Sequence, residues 1–185
     1  MMLALVAIMG LGLVDSYFIS FLGTTELAAI GFIVPITTII TSFGLGLGMA
    51  VSSLNSKLIG ANNSSLAARL ITDAFYLTFL FSLISAVLLV WQLNAIFSLI
   101  GADQSTLPAI MDYMKLWIFA VPLVMLTMVC SSTFRSIGDT KTSANISITM
   151  TLINVILDPL LIFGVGPFPE MGMQGAALAL SLIHI

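Results

Sequence analysis

Residues 151–164 read TLINVILDPLLIFG, an apolar run that holds Asn154 and Asp158. The two are four apart, so on a helix they share one face, one turn above the other. A carboxylate inside a lipid-spanning helix costs roughly 3 kcal/mol on insertion scales, and a chain that keeps one there usually turns it to a water-filled cavity or a partner. Pro159 follows directly. It lacks a backbone donor and crowds the carbonyl of Val155, so a helix bend is expected at the acid. An acid, an amide one turn away and a bend at the same level fit an ion or proton site. The plainer alternative is a buried structural hydrogen bond between helices.

The composition places this run in a membrane. The chain is 59% hydrophobic and 7% charged, against about 25% charged residues in soluble domains. This excludes a water-soluble fold, and the net charge of −3 comes with no basic patch for nucleic acid. The single Cys130 excludes an internal disulfide and reads as a small core residue. The one His184 has no Cys or His neighbour with which to build a metal site, so neither metal nor cofactor is expected. The first residues lead straight into a span, without the basic start and small-residue cleavage site of a signal peptide.

A bilayer core of about 30 Å needs about 20 mostly apolar helical residues. Five such segments can be read: from Met1 to about Leu22, Leu27 to Leu58, Leu66 to Phe97, Pro108 to Ser132, and Ser143 to Gly164. A sixth begins near Gly172. The expected fold is an all-α integral membrane bundle of five complete transmembrane helices plus the start of a sixth. Thr24 or Thr25 is a candidate N-cap for the second helix. Lys57, Arg69, Arg135 and Lys141 flank the 2–3 and 4–5 connections, while the opposite side has only Lys115 among its basic residues. The positive-inside rule makes the 2–3 and 4–5 loops cytoplasmic, in a multi-pass protein of the plasma membrane.

Depth then singles out a second acid. Asp15 lies about seven residues before the outer end of the first span, roughly 10 Å, and Asp158 about six before the outer end of the fifth, roughly 9 Å. If those helices are neighbours, the two meet in one pocket. Two nearby carboxylates cannot both ionise easily. That suits a group that takes up and releases a proton, or a cation held between the pair. The alternative for Asp15 is an interfacial acid nearer water. Gly44, Gly46 and Gly48 in the second span read as a close-packing surface, and Pro35 as a further bend point. Trp91 and Trp117 read as interfacial anchors. Met125, Met128, Phe119 and Phe134 are candidates for a drug-accommodating wall, although packing or lipid-facing positions are the more ordinary reading.

Several stretches resemble the multidrug and toxic compound extrusion (MATE) transporters, in family order and over nearly the whole chain. They are LVDSYFISFLGTTELAAIGF, GLGLGMAVSSLNSKLIGANN, FRSIGDTKTS, NVILDPLLIFG and MGMQGAALA. The resemblance implies the N-terminal lobe of a twelve-helix transporter with two six-helix lobes around a central cavity, the second lobe being a partner beyond this sequence. It implies export of organic cations and other small amphipathic drugs in exchange for protons or sodium. It also implies that Asp15, Asn154 and Asp158 form the ion site, with sodium as the one possible metal there. In places the sequence departs from the family pattern. The family's first-helix proline would fall at or just before residue 1. A fourth-helix Asn that joins the cluster in some members has no match, Ser131 or Ser132 being nearest. Leu180 stands where the family carries Thr. Residues 180–185, LSLIHI, match the in-frame translation of a common transposase adapter, so the lobe is expected over 1–179 and the last six residues are expected to be a sequencing artefact; resequencing the source locus checks this.

Two other readings are weaker. A flippase of the same superfamily, moving a lipid-linked oligosaccharide, would need more than the five basic residues present, four of which flank one side. An enzyme would need a nucleophile–base pair, a metal cluster or a phosphate loop within the spans, and the sequence offers none.

Overall fold

The computed structural model describes the backbone of residues 2–184, and the side chains of residue 10 and residues 12–184. Six helices follow one another: α1 (Met2–Ser20), α2 (Thr24–Gly60), α3 (Ser64–Leu99), α4 (Leu107–Ser136), α5 (Thr140–Ile162) and α6 (Gly172–Leu182). Among the described residues, α2, α3, α4 and α5 are long and apolar enough to cross a membrane. The 19 residues of α1 rise about 28 Å, close to the thickness of the hydrocarbon core. Most helix ends lie two to four residues beyond the boundaries expected from hydropathy. The polar residues there (Thr24, Ser64, Ser136, Thr140) form first and last turns that reach into the interface.

Hydrogen bonds at the loops account for where helices begin. Asn63 Oδ1 accepts from the Leu66 N–H at 3.2 Å and Asp139 Oδ1 from the Thr142 N–H at 3.0 Å, satisfying donors that an α-helix leaves unpaired at its start. The expected cap of α2 is different. Gly23 holds the cap position at φ 154°, without a side-chain cap, and Thr24 and Thr25 lie inside the helix. Only a residue without Cβ enters that backbone region easily, so glycine sets the turn and the threonines follow it.

Asp103 accepts hydrogen bonds from the Thr106 hydroxyl and N–H and from the Ser105 hydroxyl. Its carboxyl is held below the usual range chiefly by Thr106, and that of Asp139 chiefly by the Thr142 bonds. A folded value below the unfolded one contributes stability above the unfolded carboxylate range, lost as pH falls through the lowered value. Asn at both positions keeps the capping oxygen but not the charge. The wild type should therefore exceed an Asp103→Asn/Asp139→Asn variant in thermal stability at pH 7, and the gap should close on acidification toward about pH 3. A gap that does not change with pH would contradict this.

Helix α4 is the centre of the bundle, packed against α2, α3, α5 and α6. Its Ile110, Met114, Val121 and Met125 are fully buried. Trp117 is also buried, at 2% exposure, and so corrects the expectation of an interfacial anchor; its ring fills the core shared with Phe97 and Ile19. Trp91, at 78% exposure, agrees with that role. Met125 is buried against Gly44, where the Met128 sulfur also lies, whereas Phe119 faces outward. Cys130 is half-buried rather than in the core. Gly44 and Gly48, one turn apart, turn to α4, where a Cβ would meet Met125 and Ser132; Gly46 faces open space. The close-packing surface thus consists of two of the three glycines.

Candidate ion site between α1 and α5

Helix α1 packs along α5, which meets the condition for the two acids to share a pocket. Toward the C-terminal ends of both helices the contact is aromatic: Phe18 and Phe21 both meet Phe163 edge to face, with centroids 6.3 and 6.4 Å apart. Below them the Asp15 and Asp158 side chains face each other. Asn154 Nδ2 donates to Asp158 Oδ1 at 3.2 Å. Asn154 and Asp158 are fully buried and Asp15 is half-buried. The structure therefore brings together all three residues singled out from the sequence.

The chemistry lies in what remains unpaired. Asp15 Oδ1, Asp158 Oδ2 and Asn154 Oδ1 are buried and receive no hydrogen bond from the described residues. A buried acceptor without a donor costs about 1–3 kcal/mol, and more when charged. A proton shared between the carboxyls removes part of that penalty. A small hard cation removes it too, since such ions prefer oxygen ligands, carboxylates and amide carbonyls among them. Neither acid is paired with a Lys or Arg among the described residues, so no fixed positive charge competes for the site. Among the described residues no group of three or more His, Cys, Asp or Glu could hold a metal; any cation here rests on two carboxylates and one amide.

One neighbour was missed in the sequence. Tyr113 of α4 is buried in the neighbourhood of both carboxylates. It lies six residues into α4, roughly 9 Å along the axis, within one turn of the roughly 8 and 6 Å that separate Asp15 and Asp158 from the ends of α1 and α5. The depth count that paired Asp15 with Asp158 would have found it. Ser132 does not stand in for the missing amide of the fourth helix: it bonds to Arg135 at the far end of α4. Pro35 and Pro159 lie inside helices that continue past them, and so does Pro122 of α4, which the sequence reading passed over.

A bundle of membrane-spanning helices that buries facing acids at one depth defines a multi-pass membrane protein of the transporter class. The chain belongs to the MatE family, whose model matches residues 1–160. It is 45% identical over 178 residues to the FAD transporter of Shewanella oneidensis, covering 96% of this chain and 39% of that protein. It is 30% identical over 159 residues to the probable multidrug resistance protein YoeA of Bacillus subtilis, covering 85% and 34%. The crystal structure of the Vibrio cholerae MATE transporter VcmN in the bent form superposes at TM-score 0.91 with 28% identity, over 98% of this chain and 41% of that one. An outward-facing MATE family multidrug transporter superposes at TM-score 0.91 and 23% identity, over 100% and 40%, which shows the shared fold. The chain spans about two-fifths of the length of the FAD transporter and of VcmN. These relatives are transporters, and the expectation that the chain is not an enzyme stands on that family membership.

Proposed function

We propose that residues 1–179 form the N-terminal lobe of a cation-coupled exporter in the plasma membrane, with the 2–3 and 4–5 loops cytoplasmic. In this reading Asp15, Asn154 and Asp158 bind the coupling proton or sodium ion. The observation that carries the reading is the facing pair of acids with three buried, unpaired oxygens. With both carboxylates charged, α1 and α5 repel at that level; a bound cation removes the repulsion and lets them close. Pro35 and Pro159 supply weak points where α2 and α5 bend in response. If the closed lobe holds substrate less tightly, substrate binding must weaken cation binding by the same factor, because coupling is reciprocal.

The proposed substrates are organic cations and other small amphipathic molecules, a reading supported by relatives named as a probable multidrug resistance protein and a multidrug export protein. A second reading, a flavin dinucleotide, is favoured by the higher identity to the FAD transporter. The test uses the full-length protein in proteoliposomes, loaded in turn with a fluorescent organic cation and with FAD, while the proton and sodium gradients are collapsed separately. Transport of one of the two should stop with one gradient. Transport indifferent to both gradients would remove the coupling, and transport of FAD alone would select the second substrate.

A further inference from the structure

Helix α5 carries more than the ion site. Ser143, Ser147, Thr151, Asn154 and Asp158 recur at intervals of four, four, three and four. At about 100° per residue they fall within an arc of roughly 80° on one face. The face is buried or half-buried throughout: Ser143, Asn154 and Asp158 are buried, Ser147 and Thr151 half-buried. Asn145 and Thr149 lie on a different, exposed face, as do Leu152 and Ile156. Between residues 150 and 162 the only polar side chains are on this one face. Asp158 meets Asp15, so at that depth the face is turned to α1.

The face has two distinct ends. At one stands the acid pair, with Asn154 Oδ1 and Asp158 Oδ2 fully buried and unpaired. At the other, Arg135 donates to the hydroxyl of Ser143 at 3.2 Å and to that of Ser132. Between them, the Ser147 hydroxyl donates to the Ser143 carbonyl at 3.0 Å and the Thr151 hydroxyl to the Ser147 carbonyl at 2.9 Å. Each hydroxyl oxygen thus has its proton engaged and its lone pairs directed away from the backbone, ready to accept from water or to ligate a cation. Successive rungs lie about 6 Å apart along the axis, the span of two hydrogen bonds through one water molecule. From Ser143 to Asp158 the ladder covers about 22 Å, three quarters of a bilayer core.

We propose that this hydroxyl ladder is the path by which the coupling cation passes between the acid pair and the 4–5 loop side of the membrane, and that Arg135 closes its mouth. The proposal rests on the cation-coupled reading above. A proton crosses the ladder when each hydroxyl accepts one from the water on one side and rotates its own off the backbone carbonyl to the water on the other; a sodium ion crosses it by exchanging oxygen ligands. Among the described residues Arg135 bonds only to neutral hydroxyls, so no carboxylate there offsets its positive charge at the entrance, and it repels a cation. Passage requires the guanidinium to leave Ser143.

The test uses the full-length protein in proteoliposomes. A Ser147→Ala/Thr151→Val variant removes both hydroxyls with little change of shape. Cation-driven transport should fall roughly tenfold or more, the rate equivalent of losing one or two hydrogen-bonded steps. The stabilisation of the protein by protons or by sodium, read as a shift in melting temperature, should remain, because the acid pair is intact. Separate proton and sodium arms identify the ion. Arg135→Gln should pass the cation without substrate. A wild-type rate in the double variant, with the parent protein coupled, would overturn the path alone, and loss of the cation-induced shift would overturn it by making the rungs part of the binding site. An Arg135→Gln protein that stays tight would overturn the closure, and a parent protein coupled to neither ion would remove the functional reading together with the path.

Discussion

Asp158→Asn in the full-length transporter is expected to abolish cation-coupled transport while leaving the protein folded in the membrane. Asn has nearly the shape of Asp, and its carbonyl can accept the Asn154 Nδ2 bond now made to Asp158 Oδ1 at 3.2 Å. What disappears is the carboxylate that faces Asp15. The remaining acid then has an amide opposite it and no partner with which to share a proton or cage a cation. Uptake against a gradient should drop by roughly 100-fold or more, the upper end of ordinary coupling strengths. Asp15→Asn should give nearly the same loss, and the double variant little more, since two groups acting as one unit are not additive. Asp158→Ala is the contrasting case. It removes the acceptor for Asn154, leaving buried donors unsatisfied at about 1–3 kcal/mol, so stability should fall together with transport. Initial rates with melting temperatures in detergent separate the two. Full transport by both single Asn variants would remove the pair from the mechanism.

The acids were legible in the sequence because the bilayer supplies a ruler. Counting at 1.5 Å per residue from the span ends put Asp15 and Asp158 at one level, and the cost of an acid in lipid argued that neither was incidental. The helices were legible for the same reason. Which face of each helix turns inward was not. In a membrane bundle the lipid-facing and protein-facing sides are both apolar, so no polarity contrast marked Trp117 as buried or Trp91 as exposed. Tyr113 was within reach of the same count, but a tyrosine beside Asp112 and Lys115 near a span end reads as interfacial until α4 is seen to run down the centre. The cap of α2 failed on backbone chemistry. Two threonines in a row look like capping residues, but the chain enters the helix through Gly23 at a φ they do not favour.

Gly175→Val is expected to be strongly damaging although it lies away from the ion site, and the reason is backbone against backbone. A Cβ at Gly175 would fall on the carbonyl oxygen and carbon of Leu161 and lie 2.9 Å from the Ile162 nitrogen. Main-chain atoms cannot rotate aside as a side chain can, so α6 must move away from the end of α5. The contact is the small-residue kind that holds membrane helices together, with Ala176 and Ala179 on the same helix also fully buried. Leu161 is three residues past Asp158, and Met171 N–H donates to its carbonyl at 3.1 Å. A shift there therefore spreads both to the turn that opens α6 and to the segment that carries the acid. Overpacking costs about 1–3 kcal/mol, so Gly175→Ala should lower the melting temperature in detergent and Gly175→Val should lower it further and reduce the folded yield. Gly46→Ala is the internal control. Nothing lies within 4 Å of a Cβ there, and Ala is the better helix former by up to about 1 kcal/mol, so that variant should match or exceed the parent. A Gly175→Val protein as stable as Gly46→Ala would mean that α5 and α6 do not approach as closely as their backbones are placed.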